Sequence, residues 1–194
     1  DLLGGVEDVK NKIVSTADEP EIVFEADGLR ILRMVRFAAE LGFDVEKNTY
    51  EVATKNAWRV KDIAVERIRD ELEKIFVADT KHPELNLKDP HVRGLRMLDD
   101  LGLVDMLLPE LASLKGLEQP KKYHIYDAYE HTVKAFECAP PRLRFAALLH
   151  DIGKAESIKS TGNMHSHAQI GAELADGICK RFKLPNSERK RLVK

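Results

Sequence analysis

The 194-residue sequence predicts an all-helical protein in two parts. Apolar residues recur at intervals of three and four along most of the chain, which is the spacing of amphipathic helices. Strict alternation of apolar and polar residues is absent over any useful length, so no sheet is predicted. A chain of this length fits one large domain or two small ones, and 43% hydrophobic residues suffice for packed cores.

Four apolar runs predict the helices of the first part. They span residues 6–14, 29–41, 63–76 and 92–101. Gly42 and Gly102 follow the second and fourth runs, where glycine commonly ends a helix. The polar stretch 81–90 has a proline near each end and is typical of a loop.

A second polar interruption, at residues 115–122, predicts the join between two domains, 1–116 and 117–194. Further helices are predicted at 126–139, 141–150, 166–182 and from 187 onward, the last capped by Asn186 and Ser187. Because the chain starts with Asp1 rather than Met and the last helix is short, we expect a fragment cut at both ends.

Composition excludes several classes of protein. The chain has 31 basic and 33 acidic residues, and its charge is balanced overall. It has neither an apolar run of roughly 18 residues, as a membrane span needs, nor a signal peptide, so we expect no membrane partner. Cys138 and Cys179 are isolated and form no metal or redox motif, which favours a cytoplasmic location.

A stripe of arginines follows an aspartate in the second apolar run. Arg30, Arg33 and Arg36 are spaced three apart after Asp27, so they share one face of a helix. One interpretation is a solvated face, with Asp27 as the N-cap and Arg30 as its ion-pair partner. The other interpretation is base recognition. A carboxylate accepts hydrogen bonds and a guanidinium donates them, so the pair can bind the amino group and ring nitrogen of cytosine or adenine but not the carbonyl and N–H of uracil or guanine.

Three segments resemble successive motifs of bacterial tRNA nucleotidyltransferases (CCA-adding enzymes) and poly(A) polymerases. They are DLLGGVEDVKNK at 1–12, EADGLRILR at 25–33 and AVERIRDEL at 64–72. The resemblance implies a helical neck and body of the class II nucleotidyltransferase type. It implies that Asp27 and Arg30 read the incoming base. The third motif stabilises the neck in such enzymes, through positions that match Glu66, Arg67 and Glu71.

The sequence departs from this family in two ways. The family usually has an acidic residue immediately before the base-reading Asp, but here that residue is Ala26, and we expect Glu25 to project elsewhere. The family also holds Mg²⁺ ions on an Asp-x-Asp pair, after a Gly-Ser motif, in a head domain. The chain has no Gly-Ser dipeptide, so we expect it to lack this head.

The implied role is therefore base recognition and RNA binding. The intact enzyme would use ATP and CTP as substrates and the 3′ end of tRNA or another RNA as partner. Arg33 and Arg36 are further candidates for nucleotide binding. The motifs are shared by CCA-adding, A-adding and poly(A)-polymerising enzymes, so these activities stay open, as does the oligomeric state.

A second cluster of candidate residues surrounds the segment LLHDIGK at 148–154. His150 and Asp151 are adjacent, His131 lies upstream, and imidazole and carboxylate are ordinary ligands of divalent metals. The segment resembles the HD superfamily of metal-dependent phosphohydrolases. The resemblance implies that His131, His150 and Asp151 bind Mn²⁺, Ni²⁺ or Mg²⁺. It places His167 and Lys154 near a phosphate or a second metal.

The HD superfamily completes its site with a distal Asp on a later helix. Asp176 comes too early for that role, and the sequence holds no later Asp, so we expect a truncated HD domain with an incomplete metal site. In the intact protein, a metal-activated water would attack a phosphomonoester or a 2′,3′-cyclic phosphate.

A basic run closes the chain. It contains seven Lys and Arg residues between positions 180 and 194, and Arg189, Lys190 and Arg191 are candidate RNA contacts. An exposed helix end is the alternative. Three hypotheses remain for the whole chain: part of an RNA nucleotidyltransferase, an HD phosphohydrolase with a helical accessory region, or a non-catalytic helical RNA-binding module.

Overall fold

A computed structural model describes residues 4–118 and 126–192 and confirms the all-helical prediction. The α-helices are α1 (Gly5–Asn11), α2 (Pro20–Ala26), α3 (Leu29–Leu41), α4 (Lys47–Asn56), α5 (Val65–Phe76), α6 (Pro90–Asp100), α7 (Leu103–Leu107), α8 (Pro109–Ala112), α9 (Ala128–Cys138), α10 (Arg144–Leu149), α11 (Gly153–Thr161), α12 (His167–Arg181) and α13 (Asn186–Leu192). Short 3₁₀ helices cover Ala57–Asp62, Ala78–Thr80, Pro83–Leu85 and Pro141–Leu143. No helix in the described ranges is long and apolar enough to cross a membrane.

The chain divides into two compact units, Asp1–Leu103 and Val104–Lys194. This division falls earlier in the chain than the predicted domains, 1–116 and 117–194, and the predicted boundary stays a prediction. The start of the first motif, at 1–3, and much of the predicted join, at 119–125, lie outside the described residues, as do the last two positions.

The first unit is built around α3, which contacts both α5 and α6. Ile31, Leu32 and Val35 of α3 are completely buried, as the apolar spacing predicts. Gly42 ends α3 with φ of 69°, a left-handed conformation that costs glycine little. The expected helix at 63–76 starts two residues late, at Val65, because Ile63 is extended.

A short parallel strand pair corrects the prediction of no sheet. β1 (Ile13–Val14) pairs with β2 (Asp44–Val45), with Ile13 opposite Asp44. The first predicted helix, 6–14, instead ends at Asn11. Lys12 has φ of 56° there, so the chain turns and the two β-branched residues enter the strand.

The second unit places four helices around Phe136, Leu148 and Ile178, which are completely buried. α9 contacts α10, and α11 contacts α12. The predicted helix at 141–150 is a 3₁₀ turn followed by α10. α11 was not predicted, because it is rich in Lys, Ser and Glu and has no apolar period.

Candidate functional site

A cavity of about 340 Å³ lies in the first unit, where α2 meets α3. Its walls come from the α2–α3 junction, the 3₁₀ helix Ala57–Asp62 and the first turn of α5. The lining residues are Glu25, Ala26, Asp27, Gly28, Arg59, Asp62, Ile63 and Arg67. The second and third motifs, which are separate in sequence, therefore face one space.

Asp27 lies between the two helices, in an extended conformation with φ of −157°. Its Oδ1 accepts a hydrogen bond from the Leu29 backbone N–H at 3.0 Å, and its Oδ2 accepts one from Arg67 Nη2 at 2.9 Å. Burial alone raises the pKa of Asp27, but these hydrogen bonds outweigh it and hold the pKa below its usual range. The carboxylate is thus ionised at neutral pH.

Arg30 does not pair with Asp27 as the sequence suggested. Because α3 begins at Leu29, Asp27 lies outside the helix, and Arg30 Nη1 instead donates to the Val23 carbonyl at 3.3 Å. Arg30 is not among the residues lining the cavity. Arg67, predicted only to stabilise the neck, is the guanidinium that contacts Asp27.

Arg36 is held inside the protein rather than along a solvated stripe. Its Nε donates to Glu71 Oε2 at 2.7 Å, and its Nη1 donates to Glu40 Oε2 at 3.1 Å. Glu71 therefore ties α5 to α3, the arrangement expected of a neck-stabilising residue. Arg33 is exposed, and Glu66 lies half-buried in the first turn of α5.

Glu25 also lines the cavity, although we expected it to project elsewhere. It accepts a hydrogen bond from Arg59 Nη2 at 2.9 Å, while Arg59 Nε donates to Asn56 Oδ1 at 2.8 Å. The Arg59 guanidinium lies 4.7 Å from the centre of the Trp58 ring. Sequence reasoning missed Arg59, because no local signal links it to Glu25, 34 residues away.

Gly28 allows the α2–α3 junction to pack against the Arg59 backbone. A Cβ at residue 28 would lie 2.9 Å from the Arg59 carbonyl oxygen, which is closer than real Cβ atoms come. The cavity thus has two carboxylate and guanidinium pairs, Asp27 with Arg67 and Glu25 with Arg59. Each pair can accept from an amino group and donate to a ring nitrogen, the pattern presented by cytosine and adenine.

A second candidate site lies in the second unit, where α9, α10 and α12 meet around Asp151. His131, His150 and Asp151 each offer a ligand atom, and these atoms lie within 4.8 Å of one another. The Asp151 Oδ2 atom is 3.1 Å from His150 Nε2 and 3.5 Å from His131 Nε2. The structure therefore brings the three predicted metal ligands together.

Hydrogen bonds to backbone carbonyls orient two of the imidazoles. His150 Nδ1 is 2.7 Å from the Ala147 carbonyl, and His167 Nδ1 is 2.6 Å from the Met164 carbonyl. A carbonyl only accepts, so each Nδ1 donates to its carbonyl, and Nε2 of each ring is the atom that faces Asp151. His167 Nε2 lies 3.9 Å from Asp151 Oδ1, a contact that His165, two residues earlier and exposed, does not share.

Lys154 is buried beside the same carboxylate, with its Nζ 2.5 Å from Asp151 Oδ2. Burial raises the pKa of Asp151, but the hydrogen bonds with His150 and Lys154 outweigh it and hold the pKa well below its usual range. The hydrogen bond with Asp151 also raises the pKa of His150. Imidazole nitrogens around one ionised carboxylate fit a divalent transition metal such as Mn²⁺ or Ni²⁺.

The basic run near the end of the chain is partly neutralised. Arg189 donates to both carboxylate oxygens of Asp176, with Nη2 to Oδ2 at 3.1 Å. Arg181 makes two hydrogen bonds of 2.8 Å with Glu110. Lys190 and Arg191 are exposed, so of the three predicted RNA contacts these two keep their charge at the surface.

Comparison with known families finds two domains. Residues 42–115 match the family described as "Probable RNA and SrmB- binding site of polymerase A". Residues 121–194 match the HD domain.

Comparison with curated proteins finds tRNA-processing relatives. The chain is 36% identical to the A-adding tRNA nucleotidyltransferase of Deinococcus radiodurans, over 98% of this chain and 45% of that protein. It is 31% identical to the multifunctional CCA protein of Pasteurella multocida, over 96% of this chain and 46% of that protein. The chain thus spans about half the length of these relatives.

Solved structures show the same fold. A CCA-adding enzyme in complex with ATP aligns with 99% of this chain and 39% of its own, with a TM-score of 0.55 and 18% identity. A tRNA-processing enzyme in an apo form aligns with 99% of this chain and 47% of its own, with a TM-score of 0.54 and 16% identity.

Proposed function

We propose that the chain belongs to the bacterial tRNA nucleotidyltransferase and poly(A) polymerase family, and that it supplies base recognition and RNA binding to an enzyme that adds CCA or A residues to RNA 3′ ends. The observation that carries this proposal is the cavity where Asp27 and Arg67 meet. We place the activity in the cytoplasm, with residues 1–116 as neck and body and 117–194 as the HD domain. No step of nucleotide transfer, and no Mg²⁺ ion of that step, is assigned to residues of this chain.

Base selection rests on Asp27 as acceptor. Its ionised carboxylate accepts from the amino group of cytosine or adenine, and a guanidinium donates to the neighbouring ring nitrogen. Arg67 already contacts Asp27, and Arg30, in the first turn of α3, is the second candidate donor. Uracil and guanine present a carbonyl oxygen where cytosine and adenine present the amino group, and the carboxylate repels this oxygen. The substrates are therefore ATP and CTP.

Fluorescence of Trp58, the single tryptophan of the chain, tests nucleotide binding. The ring lies against the guanidinium of Arg59, a residue that lines the cavity, so we expect its emission to change when a nucleotide occupies the cavity. We expect ATP and CTP to change the emission saturably and GTP and UTP to change it little. Asp27→Ala removes this discrimination. Asp70→Ala, an exposed carboxylate paired with Arg69 on the same unit, is the control. Equal responses to all four nucleotides contradict the proposal.

Incorporation by the whole enzyme tests the activity itself. We expect the enzyme that contains this chain to add CMP and AMP to tRNA ends and to exclude UMP and GMP. In Asp27→Ala this exclusion is expected to weaken. Unchanged base choice in that variant rules out the assigned role of Asp27.

RNA binding is assigned to Lys190 and Arg191, whose exposed cations can contact phosphates. Binding of tRNA by the chain is expected to weaken as salt rises and to weaken further in the Lys190→Ala, Arg191→Ala double variant. Lys47→Ala, which removes an exposed lysine from the first unit, is the control. A double variant that binds as tightly as the control contradicts this assignment.

A second activity is favoured by the convergence of imidazoles on Asp151: hydrolysis of a phosphomonoester or a 2′,3′-cyclic phosphate. His131, His150 and Asp151 would hold a divalent ion, which when bound supplies a water that ionises near neutral pH. We assign phosphate binding to Lys154 and His167, whose side-chain nitrogens both lie beside Asp151. Expected is Mn²⁺- or Ni²⁺-dependent phosphate release that His150→Ala abolishes. In the control His165→Ala the rate is kept. Release that persists in His150→Ala refutes this assignment.

A further inference from the structure

Arg59 contacts the α2–α3 junction at two points, one before Asp27 and one after it. The junction is only two residues long, Asp27 and Gly28. Before Asp27, the Glu25 carboxylate accepts a hydrogen bond from Arg59 Nη2 at 2.9 Å. After Asp27, the Gly28 backbone packs so closely on Arg59 that a Cβ there would lie 2.9 Å from the Arg59 carbonyl oxygen and 3.1 Å from its Cβ. One residue therefore restrains both sides of the carboxylate that is assigned to base selection.

The Arg59 side chain is itself held in place. Its Nε donates to Asn56 Oδ1 at 2.8 Å, and its guanidinium lies 4.7 Å from the centre of the Trp58 ring. The side chain is 26% exposed, which is low for an arginine next to an open cavity. Because its rotamers are already restricted, Arg59 can restrain the junction without a large further loss of entropy.

Asp27 depends on contacts of this kind for its position. Its carboxylate is bonded to the Leu29 N–H, which lies after it in the chain, and to Arg67, whose side chain is 52% exposed. On the cavity side, the bond between Glu25 and Arg59 holds the last turn of α2 against the short 3₁₀ helix that carries Arg59. This bond therefore restrains the chain that leads into Asp27.

We propose that Arg59 is a positioning residue for base selection, which holds the Asp27 carboxylate where it accepts from the amino group of cytosine or adenine. The inference rests on the base recognition proposed above and adds the residue that fixes its acceptor. A carboxylate that is free to turn away avoids the carbonyl oxygen of uracil or guanine, so only a fixed carboxylate can reject these bases. Without the Arg59 side chain, Asp27 is still present but discriminates less.

Equilibrium dialysis of the chain against each of the four labelled nucleotides tests this inference. The discrimination ratio is the dissociation constant of GTP divided by that of ATP, or that of UTP divided by that of CTP. We expect both ratios to fall about 2-fold to 5-fold in Arg59→Met, which is the scale of a partly exposed ion pair. Arg93→Met is the matched control, because it removes a similarly exposed ion pair, with Asp44, from the same unit and away from the cavity lining.

The partner variant Glu25→Gln separates positioning from direct contact with the base. The Glu25 side chain is 60% exposed, so this change leaves the core intact. If Arg59 acts through Glu25, Glu25→Gln lowers the ratios as much as Arg59→Met does, and the double variant lowers them no further. Arg59→Lys keeps the cation and is expected to keep part of the discrimination. Unchanged ratios in Arg59→Met overturn the inference, as does a loss in Arg59→Met that Glu25→Gln does not share.

The Asp27→Ala background distinguishes this inference from the proposed function. Positioning predicts that Arg59→Met and Glu25→Gln lower the ratios only while Asp27 is present. A further loss in Asp27→Ala overturns the inference, because the pair would then select bases by itself. If Asp27→Ala keeps the wild-type ratios, or if the wild-type chain binds none of the four nucleotides, the proposed base recognition is wrong. Loss in Asp27→Ala with no loss in Arg59→Met rejects only the role of Arg59.

Discussion

Replacing Arg36 by methionine is expected to destabilise the first unit strongly. Arg36 lies between two buried carboxylates, with Glu71 Oε2 at 2.7 Å and Glu40 Oε2 at 3.1 Å. The side chains of Glu40 and Glu71 are only 6% and 8% exposed. Methionine keeps most of the aliphatic stem but leaves both carboxylates without this guanidinium, while Lys74 stays 3.0 Å from Glu71.

Removing one partner of a buried ion pair costs about 3–5 kcal/mol. Because Lys74 still compensates one carboxylate, we expect the lower end, about 3 kcal/mol. The free energy of unfolding of a small domain falls by about 2 kcal/mol per molar urea, so the urea concentration at the unfolding midpoint is expected to fall by about 1.5 M. Trp58 is the only tryptophan in the sequence and belongs to this unit, so its fluorescence reports the transition.

Arg33→Met is the matched control, because Arg33 lies on the same helix and is exposed. Its effect is expected to stay within about 0.5 kcal/mol. If the midpoint of Arg36→Met lies as close to wild type as that of Arg33→Met, the buried network does not stabilise the packing of α3 on α5, and the reasoning fails.

Three further predictions follow from the two units. Gly28→Ala forces a Cβ against the Arg59 carbonyl, so we expect a loss of about 1–3 kcal/mol in urea unfolding followed by fluorescence, and an unchanged midpoint contradicts the contact. Burial alone raises the pKa of Glu110, but its bonds with Arg181 outweigh it and lower the pKa. A carboxylate whose pKa is lower in the folded state stabilises that state at pH values above its unfolded pKa of about 4.3. Arg181→Met is therefore expected to lower the melting temperature at pH 7, and the difference from wild type is expected to shrink below about pH 4. A difference in melting temperature that does not change with pH refutes this. Mn²⁺ at 100 times its dissociation constant is expected to stabilise the second unit by about 2.7 kcal/mol, measured as a higher melting temperature that EDTA and His150→Ala abolish; equal stabilisation of His150→Ala refutes it.

Helices with a strong apolar period could be predicted from the sequence. The runs around Leu32 and Leu95 became α3 and α6, and both residues are completely buried. α11 could not be predicted in this way, because its sequence is mostly polar and its place is set by the contact of Gly153 with α12. The strand pair was also missed, since Ile13 and Asp44 are brought together only by the packing of the first unit.

The proximity of His131, His150 and Asp151 was partly predictable, because His150 and Asp151 are adjacent in the sequence. The orientation of the imidazoles was not, since it depends on backbone carbonyls such as that of Met164. In the cavity, Asp27 was identified from the motif, but its partner was not. A helix starting at Asp27 would have paired it with Arg30, and the start at Leu29 removed that geometry.

The sequence by itself determined which chemical groups lie close together along the chain: the helical period, the segment around Asp27 and the His-Asp pair are all local properties. Only the tertiary structure decided which groups meet. Asp27 and Arg67 are 40 residues apart, and Glu25 and Arg59 are 34 apart. The physical reason is that hydrogen-bond partners at such separations are chosen by the packing of helices, which local patterns do not encode.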